Sequence, residues 1–402
     1  IRAGTFPVRE SLPSSIRVGP AAGDPASALL AIRAANPSNK PVLVSDAAPG
    51  TNWTLRLRGL DHVELTNLIF DASAAGDLGR VLDLAAGLDG EGADDVTILN
   101  STFIGATSGV PTDERALVWA DTETHDRLRI TGSTFTDGWA GLYVSDGAAG
   151  SDMTEVEVSG SSFDGQSQFG MLLIIDSEAT ITGNTFTSSA SQGRAVHLGG
   201  STGYAVTDNQ ISYTGTSSDG LYLIGTSDGS STALVANNFI RADRPLSSNS
   251  NARDARLIHN TFYASGTTGA AVTTQDNPAI SIAEMTNNIL RSATSDPVLV
   301  LADLEDLVAS DGNVLYTVAG PTLVTVDGTT YADLAAWQAA SGLDAHSRSF
   351  SVSFQNAGTG DLHLGATSDG DPRLALGLEL GLQLRRVARE YKAEADPAFL
   401  AH

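Results

Sequence analysis

Tyr143, His197 and Tyr222 occupy the same place in three copies of one short phrase, and Asp83 occupies it in an earlier copy. Arg80, Arg115, Arg194 and Arg244 stand at or near the start of four copies. Tyrosine and histidine are acid and base groups that can move a proton within hydrogen-bond reach. Arginine presents a planar fork of donors that matches a carboxylate. If the copies stack, these side chains share one face. Such a face could grip the rings and carboxylates of an acidic sugar chain, or do chemistry on them. If the protein is an enzyme, the expected catalytic residues are Tyr143, His197 and Tyr222; the expected glycan contacts are Arg80, Arg115, Arg194, Arg244 and Asp83.

The phrase is a strand. Its copies include 79–86, 115–121, 140–146, 169–176, 194–200, 219–225, 244–250, 270–276 and 296–303. Alternation puts Leu82, Leu117, Leu142, Met171, Val196, Leu221 and Leu246 on the inner side. The other parity then gives two outward rows. One is small: Val81, Ala116, Gly141, Gly170, Ala195, Gly220 and Pro245. The next is Asp83, Val118, Tyr143, Leu172, His197, Tyr222 and Ser247. A floor of small residues beside Tyr, His and Arg reads as a shallow groove for an extended polysaccharide.

A second phrase precedes each of these strands: apolar residues, a small polar pair, then a large apolar residue. It ends at Phe70, Phe103, Phe135, Phe163, Phe186, Ile211, Ile240, Phe262 and Leu290. The spacing runs from 22 residues (Ile240 to Phe262) to 33 (Phe70 to Phe103), a solenoid period. Stacked about 4.8 Å apart, these residues form one apolar file. Two places earlier stand Ser101, Ser133 and Ser161, then Asn184, Asn209, Asn238, Asn260 and Asn288. The asparagines predict a ladder in which each amide bonds the turn above and below, satisfying buried polar groups. His259, next to Asn260, belongs to that turn.

Composition narrows the partners. The chain has 402 residues and a formal net charge of −24, with only two lysines, Lys40 and Lys392. That charge opposes nucleic acid and anionic membranes. There is no cysteine, so neither a disulfide nor a thiolate metal site exists. No apolar run is long enough to span a bilayer as a helix. A chain beginning at Ile1 without Met suggests a removed leader and a secreted or cell-surface protein. Acidic turn residues Asp94, Asp95, Asp121, Asp146, Asp176 and Asp228 offer hard ligands that could hold Ca²⁺, with no local motif. His62, His125, His346 and His363 have no metal-ligand spacing.

The expected organisation is an N-terminal strand and capping helix over 1–50, β-helix rungs over 51–310, last rungs and a C-terminal cap over 311–372, and an atypical tail over 373–402. The helix is expected within 25–37, and a second short one within 331–347. Long loops are expected near 85–95, 104–114 and 145–154. The tail alternates Leu from 374 to 384, a strand period. It is expected either to lie on its own last rung or to add to the edge of a neighbouring copy.

The cap with PGTNWTLRLRGLDHVELTNLIF (49–70), the GNTF and HNTF rungs and the stretch 311–372 resemble the secreted bacterial right-handed β-helix proteins of the pectate-lyase-like superfamily. The resemblance covers about 320 residues. It implies an all-β fold: a single right-handed parallel β-helix with capped ends. It does not choose an activity, because that superfamily includes lyases, hydrolases, epimerases, adhesins and tailspikes. The catalytic Lys–Arg pairing of its alginate- and chondroitin-type lyases is missing, since neither lysine falls in a middle rung. The NTD, DD and GHG motifs of its polygalacturonase-like hydrolases are also missing, and no calcium-type acidic grouping stands out. Two readings stay open. One is a structural, adhesive or glycan-binding surface protein that could self-associate. The other is a polysaccharide lyase or epimerase working through the Tyr/His/Arg face.

Overall fold

The structure is a computed structural model. It describes residues 30–368 except 46–51, 86, 88–91, 108–111, 122–124, 146–154, 175–177, 201–202, 225–232, 250–254, 267–268 and 276–281, together with strands at Thr5–Val8 and Glu10–Leu12. The Leu-alternating tail and much of the long-loop sequence lie outside the described residues.

Three parallel sheets wind around one core. Among the described residues sheet A has 12 strands, sheet B 13 and sheet C 11, and successive turns of the chain are neighbours; only the last pair of B, Val324–Val326 with Thr329–Tyr331, is antiparallel. One turn runs through a strand of C, a strand of A and a strand of B; Leu128–Thr131, Thr134–Thr136 and Ala140–Ser145 are an example. Parallel in-register pairing puts each residue beside its counterpart one turn away, so a column in the sequence becomes a row in space.

The apolar file forms as expected. Phe70, Phe103, Phe135, Phe163 and Phe186 are fully buried in sheet A. Their rings stack face to face at centroid distances of 4.9, 4.8, 4.5 and 4.9 Å. The spacing is the strand spacing itself, so the backbone ladder and the ring stack are in register.

The ladder runs beside it at the corner between C and A. Each residue's backbone N–H donates to the side-chain oxygen of the next turn: Ser161 to Asn184 (2.8 Å), Asn184 to Asn209 (2.9 Å), Asn209 to Asn238 (3.0 Å), Asn238 to Asn260 (3.0 Å) and Asn260 to Asn288 (2.8 Å). Each amide nitrogen also donates to a strand carbonyl, as Asn209 does to Ile181 (2.9 Å). Asn313 extends the ladder one step, accepting from Asn288 at 2.8 Å. The residue before each rung takes a left-handed backbone: Asn100, Gly132, Gly160, Gly183, Asp208, Asn237, His259 and Asn287 all have φ between 48° and 65°. Gly, Asn and Asp tolerate this conformation best. His259 therefore serves the turn.

Three expectations are corrected. The helix expected within 25–37 is not formed where the structure describes it: Leu30–Arg33 is a strand of sheet C, pairing with Val63–Thr66. Leu30 and Ile32 alternate along the strand, and edge pairing outweighs their helical spacing with Ala34. In the strand Ala116–Asp121, Val118 pairs with both Leu82 and Leu142. Val118 is thus the inward residue, and Trp119 takes the outward place that parity had assigned to Val118. The row of small residues is no groove floor. A Cβ on Gly141 would lie 2.5 Å from the Phe163 ring, on Gly170 2.8 Å from Phe186 and on Gly220 2.3 Å from Ile240. The row bends inward over the file, and at these three positions only hydrogen fits.

The second expected helix is present as α1 (Leu334–Ser341), the one α-helix among the described residues. Asp333 accepts from the Ala336 N–H at its start, and Gly342 ends it at φ 72°. Its Trp337 is buried in the core and donates to Asp344 at 2.8 Å. Beyond it the chain turns back across sheet A. There Arg291 donates to the Val352 carbonyl at 2.9 Å, Arg241 to that of Gly358 at 2.8 Å, and Phe239 meets His363.

Truncating Phe135 to Ala opens a cavity inside a file that cannot collapse without breaking register, and should cost roughly 3–5 kcal/mol in chemical unfolding. Asn209→Leu should cost about 1–3 kcal/mol, because it strips the buried Asn184 N–H of its acceptor. Unfolding midpoints equal to the parent's would place these side chains outside the core.

Candidate functional site

The outer face of sheet B gathers the expected residues into two rows. Strand pairing aligns Ala116, Ala140, Phe169, Arg194, Asp219 and Arg244 in one row. The next holds Arg56, Asp83, Trp119, Tyr143, Leu172, His197, Tyr222 and Ser247. These side chains stand out from the sheet because the alternate ones fill the core.

Arg194, His197 and Tyr222 converge. The Arg194 guanidinium lies 3.7 Å above the Tyr222 ring and its Nη1 is 3.2 Å from His197 Nδ1. The His197 and Tyr222 rings meet edge to face at 5.0 Å. The Tyr222 hydroxyl accepts from Asn249 Nδ2 at 3.1 Å. Guanidinium only donates, so Nδ1 accepts and the neutral ring carries its proton on Nε2. Burial, with the cation of Arg194 beside it, pushes the His197 pKa down to about 3. His197 is therefore a neutral, weakly basic ring whose lone pair is engaged.

Asp219, which the sequence reading did not single out, organises this group. It is fully buried, yet it sits in the outward row. Arg194 Nε lies 3.3 Å from its Oδ2, Arg244 Nε lies 2.8 Å from Oδ1, and Ser247 Oγ donates at 2.7 Å. Two guanidiniums therefore share one carboxylate. Both remain partly open, with side-chain exposures of 27% for Arg194 and 31% for Arg244. The alternating Arg–Asp–Arg order was legible: all three residues head equivalent strands 25 residues apart.

Tyr143 is not part of this cluster. It stacks on Trp119 at 4.2 Å, with Leu172 between it and His197 along the row. Arg80 covers the other side of Trp119 at 3.6 Å and pairs with Glu114 at 3.6 Å. Asp83 is buried and ion-paired with Arg56 at 2.7 Å; burial nevertheless raises its pKa. Arg115 does not stand on this face at all. It is buried at the corner beneath it, donating to the Ala106 carbonyl. Its place in the phrase starts a strand through a short 3-10 turn, which changes its direction.

Among the described residues, no group of three or more His, Asp or Glu has an arrangement that could hold a metal ion. Of the acidic turn residues, Asp95 is paired with His62 at 2.9 Å and with Arg127, and Asp94 accepts from the Asp126 N–H at 2.9 Å. The side chains of Asp121, Asp146, Asp176 and Asp228 lie outside the described residues.

Residues 115–289 match the family model of the right handed beta helix region. The described residues fold as a parallel β-helix. Solved structures of the periplasmic alginate epimerase AlgG are similar. A double mutant is 13% identical over 80% of this chain and 76% of that one, with a TM-score of 0.46. Another AlgG crystal structure is 12% identical over the same shares, with a TM-score of 0.44. No curated protein matches the sequence. The functional reading rests on the residues themselves. No helix among the described residues is long and apolar enough to cross a membrane.

Two buried histidines give the fold a pH dependence. His125 accepts from the Ala93 N–H at 2.9 Å, and burial lowers its pKa to about 4. An unfolded histidine titrates near 6.5. Below that pH the unfolded chain takes up protons that the folded chain refuses, so stability is full above about 6.5 and falls as pH drops toward the folded values. In His125→Asn/His197→Asn, the Oδ1 atoms can replace the acceptors. Between pH 7 and pH 4.5 the parent should lose more unfolding free energy than this variant. Equal losses, measured by chemical denaturation, would contradict the assignment.

Proposed function

We propose that this is an extracellular or cell-surface β-helix protein that binds an acidic polysaccharide along the outer face of sheet B. One observation carries the reading: Arg194 and Arg244 share Asp219 and keep part of their surface open. The triplet carries a formal charge of +1 on a chain of −24. Each guanidinium has five N–H donors, and the carboxylate, His197 and the Ser217 carbonyl use only some of them. A uronate carboxylate is the ligand that this geometry fits: planar, singly charged and an acceptor on two oxygens. Cation–π contact with Tyr222 holds the Arg194 plane ready, which lowers the entropy lost on binding. Arg56 and Arg80, held likewise over Trp53 and Trp119, are paired with Asp83 and Glu114 and add no net charge to the face.

A second reading, a polysaccharide lyase or epimerase, is favoured by the convergence of Arg194, His197 and Tyr222. It needs a base at the sugar carbon next to the carboxylate. His197 is poorly suited, since its pKa is low and its free nitrogen already accepts from Arg194. Tyr222 would have to take that part.

Isothermal titration with polygalacturonate, polymannuronate and neutral dextran tests the first reading. The polyuronates should bind and dextran should not, with affinity falling as salt rises. Arg194→Ala should weaken binding by about tenfold or more, the worth of one charge-assisted pair. Absence of binding to every polyuronate would remove the reading. Unsaturated product absorbing in the ultraviolet, lost in Tyr222→Phe with binding retained, would move the assignment to the enzyme.

A further inference from the structure

The outer face of sheet B changes character between two adjacent strands. From Arg194 onward it is charged and polar. Between Asp83 and His197 the same two rows read Ala116, Ala140, Phe169 and Trp119, Tyr143, Leu172, a second apolar cluster separate from the solenoid core. Outward positions of a solvent-facing sheet are ordinarily polar, so an apolar cluster here needs a cause. Most of it is closed: Trp119, Phe169 and Leu172 are 6–8% exposed. Trp139 and Tyr143 form its half-buried rim, with ring centroids 6.0 Å apart. Trp139 meets the Phe169 ring edge on at 5.0 Å. Phe169 is the strand partner of Arg194, and Leu172 of His197. The apolar rim and the guanidinium site are thus two turns apart, about 9.6 Å, with the Phe169 strand between them.

We infer that this rim is a subsite for an apolar substituent on the bound polysaccharide, and that the ligand is an O-acetylated polyuronate. This rests on the acidic-polysaccharide reading above and narrows it. Two features of the face decide the chemistry. On the far side of the cluster Arg80 and Arg56 are each paired with a carboxylate of their own, Glu114 and Asp83, so the ligand carries its carboxylate over Arg194 and Arg244 and needs no charge over Trp139 and Tyr143. The rings of Trp119 are covered on both sides, by Arg80 and Tyr143, so a sugar cannot lie flat on that platform. A half-buried apolar rim suits a small apolar group reaching down from a ring. An acetyl ester supplies it: its methyl is apolar and its carbonyl remains free to meet water or the exposed edge. A bare hydroxyl in the same place would lose its water to an apolar wall with nothing in exchange.

The test uses polymannuronate and polygalacturonate, each unmodified and chemically O-acetylated, at equal chain length and uronate concentration. The parent protein should bind the acetylated form about fivefold more tightly, the worth of burying one or two methyl-sized groups. Trp139→Ala and the polar substitution Trp139→Gln should each erase that preference while leaving affinity for the unmodified polymer. Arg194→Ala should weaken both forms alike. Equal affinity of the parent for acetylated and unmodified polymers, with the Arg194 effect intact, would overturn the acetyl subsite and leave the polyuronate reading standing. No binding to any of the four polymers would overturn both.

Discussion

In-register stacking governs this molecule. Every turn hydrogen-bonds its backbone to the next at one fixed spacing, so each side chain faces its counterpart a strand away. Some residues gain from meeting their own kind. Phenylalanine rings stack at 4.5–4.9 Å along the file, and asparagine amides donate and accept in series along the corner. Charged residues do not, since like charges directly opposite one another repel. Several outward columns accordingly alternate sign: Arg56 faces Asp83, Arg256 faces Glu284, and Asp219 lies between Arg194 and Arg244, while Glu155 beside Glu178 is an exception.

That rule explains why a chain of such strong net negative charge holds a cationic spot. A carboxylate in a column calls for cations above and below it. Where the column supplies two arginines to one aspartate, the excess is positive. Asp219 is buried and its cations are not, so the charge that reaches solvent is that of the guanidiniums. Removing one arginine would leave a buried carboxylate with half its compensation. Removing the aspartate would leave two cations side by side.

Rigidity is the second consequence. Arg80 on Trp119 on Tyr143, and Arg194 on Tyr222 beside His197, are layers held by the sheet beneath. Little side-chain freedom remains to be lost on binding, which favours affinity. The same layering spends the aromatic faces internally and ties up the His197 lone pair. A face built in this way is better made for holding a ligand by its charged and apolar edges than for proton transfer.

Columns were legible in the sequence because stacking repeats them. The Phe file, the Asn ladder, the outward row from Tyr143 through His197 to Tyr222 and the helix within 331–347 could all be read from spacing and residue type. Positive φ at Asn100, Gly132, Asp208 and His259 was also written there, as a column of left-handed-tolerant residues. Register was not. One residue of shift in the strand Ala116–Asp121 exchanged Val118 for Trp119, and a bend turned the glycine row inward; both depend on which backbone groups pair between turns. Nor did the sequence tell which arginines reach the face: Arg115 and Arg194 begin similar phrases, and only packing against Ala106 buries one while Asp219 holds the other in the open. Strand periodicity and residue type determine what stacks. Three-dimensional pairing decides which side it shows and which charges are left over for a ligand.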